Sequence, residues 1–519
     1  MPRPKITLDI SLSQLPSNTQ LLSEGGGAWR VPAKWQYVQN RVLGLPRGGG
    51  VVRAAMEDVL DPATSLADVN ARLDAYGWNA YVQAAAARGD TIMVCLDAAP
   101  AYLRSDPNDH RAPPNNLTAW NAVVAAVVAH FQSLGVNPVI EVWNEPDGAG
   151  FSGTYQQYFA VYAASVIPGV KLGGPAVSSY ESEDANGFFV DQFIAYCRAN
   201  SLPLDFFTFH AFGHNPSSFH NFIVPWLRGK LDAAGYAAAE IINGEWNVFA
   251  APPYPEPGLC GTLYTAAYAA THLFDAPGLA RQAFQMKFDP GSNLDYKSGA
   301  FSTFGVERPL WLAFAFMHQL AGQRYAVTSS DPWVSGVAYI PPDGGKQRVV
   351  LAVHVPAVSV IKRDLALRWP IENHAEYIEA KAIGGAAIDA YLEGGAMPPC
   401  SPALAALLVE AKATYDAYKM KKTTWAGGID IDVRWAAGYA VGSASVWPLT
   451  VANTPTEAQY AQWHNQLMFT PAGLYQAKLD QINNGIESNV GTPLTGPIAN
   501  RTLPLVGLAS PAVVHIEAQ

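Results

Sequence analysis

The strongest constraint on the fold is an alternation of short, apolar, β-rich runs with longer helical patterns between about residues 50 and 322. Such an alternation is typical of repeated βα units around a parallel sheet. The candidate strands are Val51–Met56, Thr91–Leu96, Pro138–Trp143, Lys171–Pro175, Asp205–Phe212, Glu240–Trp246 and Ala280–Phe288. A weaker eighth strand at Gln20–Leu22 completes the number that closes a (β/α)8 TIM barrel, an α/β fold.

The pattern changes after the apolar helix predicted for Pro309–Ala321. Gly336–Tyr339 and Arg348–Val355 alternate at period two across a turn, which predicts a hairpin. Ala512–Glu517 is another predicted strand, and Ile6–Leu12 has the pattern to join the same sheet. We therefore expect an accessory antiparallel β-sandwich.

The predicted boundaries follow from these patterns. We expect an N-terminal strand segment at 1–19 that joins the sandwich, a catalytic barrel at 20–322, and a C-terminal sandwich at 323–519 with a helical and loop insertion at about 376–503. Within the insertion, Ser401–Lys419 is predicted to be a helix. Residues 422–503 are rich in Gly, Pro, Asn and Thr and are predicted to form loops.

The composition narrows the class of protein. Hydrophobic residues make up 49% of the chain, charged residues 15%, and the net charge is −10. These values exclude a disordered chain, and the lack of a basic run argues against nucleic-acid binding. The four cysteines show no CxxC spacing, and no metal-ligand cluster or phosphate loop stands out, so no cofactor is expected. We also expect no membrane association: a soluble chain, secreted or periplasmic if a signal was removed and cytoplasmic otherwise, with its oligomeric state open.

Two glutamates stand at the ends of predicted strands, where the side chains of a parallel barrel converge on one mouth. Glu145 follows Val139–Asn144, and Glu245 follows Ile241–Gly244. An Asn-Glu-Pro triplet alone is most simply a polar turn. A buried strand before each acid makes a catalytic pair the better interpretation, because retaining glycosidic hydrolysis needs two carboxyl groups roughly 5 to 5.5 Å apart.

Trp143-Asn144-Glu145-Pro146 resembles the acid/base motif of clan A glycoside hydrolases, and the surrounding sequence is most similar to glycoside hydrolase family 39. The other matching segments are Leu172–Ala176, Phe193–Cys197, Pro203–Phe206 and His210–Phe212, with a weaker one at Gly394–Lys412. The resemblance implies that Glu145 is the general acid/base and Glu245 the nucleophile. It also implies that Asn144 binds the sugar 2-hydroxyl.

Further side chains are candidates for substrate binding. His210 resembles a position that lines the sugar subsite, although a core histidine satisfied by backbone is an equal alternative. Arg53 is a candidate to orient the nucleophile, with a structural ion pair as the simpler interpretation. Trp246 and Tyr254 are candidates to stack on a sugar face. Glu141 is expected to belong to a buried network.

One segment departs from the family pattern. Where the eighth strand of the family carries a tryptophan platform, this chain has Ala283–Phe288. Gln285 and Lys287 offer polar or cationic contacts there instead of a flat apolar surface, and Lys287 makes an acidic sugar slightly more attractive. The sequence therefore leaves the sugar open.

The sequence as a whole predicts a retaining glycoside hydrolase that acts on poly- or oligosaccharides. Exo action of a xylosidase, arabinosidase or uronidase type suits the resemblance. Two alternatives stay open: an endo-acting clan A glycanase, and a non-catalytic carbohydrate-binding barrel.

Overall fold

The computed structural model describes residues 3–15, 41, 43–44, 50–213, 215–248, 262–274, 281–284, 300–302, 305–320, 322–341, 345–437, 439, 441–450, 454–468, 470, 472–491, 494–508, 510 and 512–519. These residues contain a seven-stranded parallel sheet, a nine-stranded sheet that is largely antiparallel, and a two-stranded ribbon.

In chain order the strands are β1 Lys5–Leu15, β2 Val51–Ala55, β3 Thr91–Leu96, β4 Val139–Val142, β5 Leu172–Val177, β6 Glu183–Asp184, β7 Gly187–Phe188, β8 Phe206–Phe212, β9 Glu240–Asn247, β10 Arg281–Phe284, β11 Gln323–Ser329, β12 Val334–Ile340, β13 Gln347–Val353, β14 Ile429–Trp435, β15 Ser443–Leu449, β16 Leu494–Pro497, β17 Thr502–Leu508 and β18 Ala512–Ala518.

The α-helices are α1 Glu57–Leu60, α2 Leu66–Asp74, α3 Asn79–Ala87, α4 Leu117–Ser133, α5 Tyr155–Ala164, α6 Phe189–Ala199, α7 Pro216–Ala233, α8 Thr262–Phe274, α9 Pro309–His318, α10 Val358–Leu365, α11 Trp369–Glu372, α12 His374–Ile383, α13 Gly385–Leu392, α14 Pro402–Trp425, α15 Glu457–Met468 and α16 Ala472–Gly491.

The parallel sheet has the order β10-β9-β8-β5-β4-β3-β2, and every neighbouring pair in it is parallel. It contains the seven strands that the sequence predicts from its longer apolar runs. Its edge strands β2 and β10 also approach each other, so the sheet curls. The predicted eighth strand, Gln20–Leu22, lies outside the described residues, and the closed barrel stays a prediction.

Apolar periodicity explains the helices that flank this sheet. In α4, Asn116 caps the N-terminus by accepting a hydrogen bond from the backbone N–H of Ala119. The buried face of α4 repeats every three to four residues and consists of Trp120, Val123, Val124, Val127, Val128 and Phe131. Burial of this face fixes α4 on the sheet and leaves the loops at the carboxyl ends of the strands free to carry the site.

The nine-stranded sheet has the order β16-β15-β18-β13-β12-β11-β1-β14-β17. The predicted hairpin is confirmed as the antiparallel pair β12 and β13. The predicted N-terminal strand is also confirmed: β1 lies between β11, to which it is antiparallel, and β14, to which it is parallel.

The loop prediction for residues 422–503 is wrong. That stretch contains β14, β15 and β16 as well as the helices α15 and α16. The turn-forming residues separate the elements, while alternate residues within β14 are buried, such as Ile429, Ile431 and Val433. The helix predicted for Ser401–Lys419 is present and extends to Trp425, with the Ser401 hydroxyl accepting from the Leu404 N–H.

Helices α15 and α16, called here the helical hairpin (residues 457–491), pack against the segment that precedes α9. Tyr460 donates its hydroxyl hydrogen to the carbonyl of Glu307, and the Asn483 side chain accepts from the Glu307 N–H and donates to the Gly305 carbonyl. The hairpin thereby holds the segment that precedes α9 in place. Of the helices described, none has both the length and the apolar character required to cross a lipid bilayer.

Candidate active site

Two strand ends of the parallel sheet bring Glu145 and Glu245 together. Glu145 follows β4 by three residues, and Glu245 lies near the end of β9. A carboxylate oxygen of each glutamate lies within 4.8 Å of the other and of a ring nitrogen of His210. This separation is close to the roughly 5 to 5.5 Å between the carboxyl groups of retaining glycosidases.

The backbone that presents Glu145 has an uncommon conformation. Trp143 and Glu145 have φ values of 69° and 50°, and Ala176 on the neighbouring strand end has 55°. Left-handed conformations of this kind are costly for side-chain-bearing residues and occur often at functional sites. The conformation is held in place because the Glu145 N–H donates to the Ala176 carbonyl and the Trp143 indole donates to the Gly150 carbonyl.

Asp147 links the loop after β4 to the loop after β5. Its carboxylate accepts from the backbone N–H groups of Ser178 and Ser179 and from the hydroxyls of Ser178 and Ser182. The sequence analysis missed this residue, although its position two residues after Glu145 was a usable signal. Asp147 fixes the loop that carries Glu145.

Arg53 on β2 lies beneath the two glutamates and is 2% exposed. Its guanidinium donates to Glu141 at 2.5 Å, to Asn144 Oδ1 at 2.9 Å and to Glu245. It also lies 3.1 Å from the Cys95 sulfur. Burial acts to lower the pKa of Arg53, but the Glu141 and Glu245 carboxylates outweigh it and the pKa is raised. Arg53 therefore stays a cation.

His210 on β8 lies between the two strand-end glutamates. Its Nδ1 is 2.8 Å from Glu145 Oε1 and 4.0 Å from Glu245 Oε2. Burial acts to lower the pKa of His210, but Glu245 and the hydrogen bond with Glu145 raise it. Burial acts to raise the pKa of Glu145, but the hydrogen bond with His210 lowers it. The two side chains thus form a coupled pair that shares a proton.

The remaining predicted side chains have different outcomes. Asn144 lies beside the glutamates, where its side-chain oxygen accepts a hydrogen bond from Arg53. Trp246 is 1% exposed and its ring packs against Tyr268, which favours a packing role over sugar stacking. Tyr254 and Gln285 lie outside the described residues, as does Lys287.

The structure adds Cys95 to the predicted set. Cys95 lies beneath the glutamates, where its thiol contacts Arg53 and the Trp143 carbonyl. Burial raises the pKa of this thiol far above its ordinary value, so it is a neutral group. Glu141 is fully buried and bound by Arg53, as expected of a network member.

Glu145, His210 and Glu245 also form the one group of potential metal ligands found in the part of the chain that the structure describes. The Arg53 guanidinium next to Glu245 places a positive charge beside them. The arrangement suits chemistry carried by the acids themselves.

Comparison with known proteins gives matches in sequence and in fold. Residues 107–224 match the family model for glycosyl hydrolases family 39. A β-xylosidase from Geobacillus stearothermophilus is 32% identical over 113 residues, which span 19% of this chain and 21% of that relative. The chain therefore spans about a fifth of the length of this curated relative.

Solved structures share the fold over nearly the whole chain. A family 39 β-xylosidase from Caulobacter crescentus has a TM-score of 0.61 at 16% identity and covers 99% of both chains. A family 39 enzyme from Xanthomonas axonopodis pv. citri has a TM-score of 0.63 at 15% identity, over 100% of this chain and 97% of that one. The sequence match to the family model is thus confined to residues 107–224, whereas the shared fold extends over nearly the whole chain.

Proposed function

We propose that this protein is a retaining glycoside hydrolase that cleaves oligo- or polysaccharides by double displacement through a covalent glycosyl-enzyme intermediate. The observation that carries the proposal is the spacing of Glu145 and Glu245, whose carboxylate oxygens lie within 4.8 Å of each other. Inverting enzymes need a wider gap, roughly 6.5 to 9.5 Å, to admit a water molecule between the sugar and the base.

In the first step, a Glu245 oxygen attacks the anomeric carbon while Glu145 donates a proton to the departing glycosidic oxygen. The bond from carbon to the leaving oxygen breaks, and an ester bond to Glu245 forms. In the second step, Glu145 takes a proton from water, and the resulting hydroxide displaces Glu245 from the same carbon. Two inversions leave the configuration of the sugar unchanged.

Arg53 and Asn144 support this chemistry. The Arg53 guanidinium binds both the Glu245 carboxylate and the Asn144 side-chain oxygen, so it fixes the orientation of the two relative to each other. With its oxygen bound to Arg53, the Asn144 amide directs its N–H groups elsewhere, where they are available to the sugar 2-hydroxyl. A hydrogen bond to this hydroxyl that strengthens in the transition state contributes to the rate.

Support for exo action on xylose-like sugars comes from the relatives, one of them named a β-xylosidase and another a family 39 β-xylosidase. Arabinose-like and uronic sugars remain within the proposal. We further propose that the parallel sheet closes as a (β/α)8 barrel over residues 20–322. The antiparallel sheet, with residues 1–19 and 323–519, then forms the accessory sandwich, in which 376–503 includes a helical insertion.

The test of the nucleophile is chemical rescue. Glu245→Gly should hydrolyse aryl glycosides on the order of 10⁴-fold or more slowly than the wild type, because no covalent intermediate can form. Added azide should then release a glycosyl azide of inverted configuration. Glu240→Gln, at the opposite end of β9, is the matched control and should keep wild-type turnover. A Glu245→Gly variant that keeps full activity would contradict the mechanism.

A panel of aryl glycosides identifies the sugar and tests the alternatives. Release of aglycone from xylosides, arabinosides or uronides supports exo action on that sugar. Cleavage of internal bonds in polysaccharides, with no action on the aryl panel, would indicate an endo-acting glycanase. Polysaccharide binding without any turnover would indicate a non-catalytic barrel.

A further inference from the structure

Arg363 reaches the carboxyl end of β8 from the segment that follows the antiparallel strand β13. It lies on α10, and its Nη1 donates a hydrogen bond to the carbonyl of Phe212 at 2.5 Å. Phe212 is the last residue of β8, and His210 lies two residues before it on the same strand. The region of the antiparallel sheet thus places a cation at a strand end of the parallel sheet.

This cation lies closer to the mouth of the site than the two glutamates. Strands β8 and β9 pair so that His210 is opposite Glu245 and Phe212 is opposite Asn247. Two residues along a strand span about 7 Å. The Phe212 carbonyl, which binds the guanidinium, is therefore beyond the level at which the proposed reaction takes place.

Arg363 is on the same side of the site as Glu145. The Glu145 N–H donates to the Ala176 carbonyl near the end of β5, and the Glu145 carboxylate contacts His210 on β8. Arg363 binds the end of β8, and its charge acts against burial, which raises the pKa of Tyr180 in the loop after β5. Because Glu145 protonates the departing oxygen in the proposed mechanism, this side faces the aglycone.

The position of α10 determines the direction of the side chain. Asp364, the next residue, accepts hydrogen bonds from the Ser218 hydroxyl at 3.0 Å and from the Asn215 side chain at 3.4 Å, both at the N-terminus of α7. Helix α10 is therefore anchored on the helix that follows β8. From this anchor Arg363 extends to the strand end, toward the mouth.

The guanidinium has donors available for a ligand. Arg363 is exposed, and among the residues that the structure describes it forms no ion pair and no hydrogen bond other than the one to Phe212. The neighbouring Asp364 is engaged by α7, and burial raises its pKa to about 6. An arginine has five N–H donors in a planar fork that matches a carboxylate. With one nitrogen fixed by the Phe212 carbonyl, the others are available to an anion.

We propose that Arg363 binds a carboxylate on the aglycone side of the substrate, so that the enzyme favours oligosaccharides whose departing part carries an acidic sugar. The proposal rests on the function proposed above, since it takes the side of Glu145 as the side of the leaving group. It concerns the departing part only, and the sugar at the reacting carbon is left to the aryl glycoside panel.

Two aryl glycosides that differ by one charge test the proposal. They are the 4-(carboxymethyl)phenyl glycoside of the sugar that the panel identifies and the methyl ester of the same compound. The methylene group keeps the two leaving groups nearly equal in reactivity, and only the free acid is an anion at neutral pH. The wild type should favour the acid by about 3- to 10-fold in kcat/KM, the range expected for one partly exposed charged contact.

Substitutions of Arg363 should change this ratio. Arg363→Met should lower it to 1 or below, and Arg363→Lys should keep part of it, because an ammonium group retains the charge without the fork. A purely structural disturbance would lower both rates together and leave the ratio unchanged. A ratio that survives in Arg363→Met overturns the proposal, as does a wild type that does not favour the acid.

Arg368→Met is the matched control, since Arg368 lies over the Phe222 ring with its charge 4.5 Å from the ring centre. This variant should keep the wild-type ratio, and an equal loss in it would overturn the assignment to Arg363. If Arg363→Met does not fold, Arg363→Gln gives the same test, because its amide can still donate to the Phe212 carbonyl but carries no charge.

Binding without turnover separates this inference from the proposed function. Titration calorimetry of Glu245→Gly, with and without Arg363→Met, compares the Kd values of the acid and its ester. If the wild type cleaves neither compound but the acid binds more tightly and loses this advantage in Arg363→Met, the function fails and the binding site stands. If both compounds are cleaved at a ratio that Arg363→Met does not change, the function stands and the binding site fails.

Discussion

The two large sheets use their buried positions in opposite ways. The parallel sheet has ionisable side chains in its interior, namely Arg53, Glu141, His210 and Glu245. The antiparallel sheet buries mainly apolar side chains such as Leu351, and ion pairs such as Lys5 with Asp432 reach the surface, where Lys5 is 65% exposed.

This difference suggests that the antiparallel sheet contributes mainly to stability and the parallel sheet mainly to the proposed chemistry. A buried ion pair gains little or nothing over apolar residues of equal volume, because taking two charges out of water is costly. Apolar burial contributes roughly 25 cal/mol for each Å² removed from water. The antiparallel sheet is therefore expected to stabilise the molecule, whereas the charges of the parallel sheet suit the reaction proposed above.

The largest effect is expected from removing the cation of the parallel sheet. Arg53→Met leaves Glu141 and Glu245 without their shared partner, so kcat/KM for aryl glycosides should fall by on the order of 10³-fold. The unfolding free energy should fall by about 3–5 kcal/mol, because two acids are left buried without a counter-charge. Arg72→Met, in an exposed pair with Asp68, is the control and should change neither. Wild-type kinetic constants in Arg53→Met would show that the buried charge of the parallel sheet is not needed for the proposed reaction.

The apolar counterpart lies on β13. Leu351 is fully buried and pairs with Gly336 and Val514 on the neighbouring strands. Leu351→Ala should lower the unfolding free energy by about 2–5 kcal/mol, measured by guanidinium denaturation, and leave the kinetic constants of the folded enzyme unchanged. Val506→Ala, on the exposed side of β17, is the matched control. A kinetic defect in Leu351→Ala would show that the two sheets are not independent.

A third effect, which depends on pH, is expected from Glu307, a buried acid held at the helical hairpin by Arg41. Burial raises the pKa of Glu307 to about 8. An acid whose pKa is raised on folding stabilises the fold below its unfolded pKa, and this contribution is lost as pH rises through the folded value. Relative to Glu307→Gln, the unfolding free energy of the wild type, measured by guanidinium denaturation, should therefore fall by roughly 1 kcal/mol for each pH unit between about 5 and 8.

The control for Glu307 is Glu487→Gln, since Glu487 also binds Arg41 but is partly exposed. This variant should show a weaker pH dependence than Glu307→Gln. The difference in unfolding free energy between Glu307→Gln and wild type could instead be constant with pH. That result would mean that Glu307 is ionised over the whole range, so that a buried charge is also tolerated outside the site.

The parallel sheet and both glutamates were predictable because their signals are local. Buried parallel strands are continuous apolar runs, and the acids follow them directly in the sequence. The structure brings Glu145 and Glu245 together as the strand count requires. Their chemical roles stay a proposal that the rescue experiment tests.

Other features depend on tertiary context that a single sequence does not show. Trp246 has the residue type of a sugar platform, but the packing of Tyr268 decides that its ring is buried. Strands β14 and β15 are surrounded by turn-forming residues, and their pairing with partners such as β1 and β18 makes them strands.

The placement of β1 bears on how the chain folds during synthesis. Ile6 pairs with Ile431, so the first described strand finds one of its neighbours only after more than 400 further residues have left the ribosome. Pairing between such distant segments is slow, because a long loop must close before any contact forms. Until then the edge of β1 that pairs with β14 is exposed to other chains, which favours aggregation of the incomplete chain.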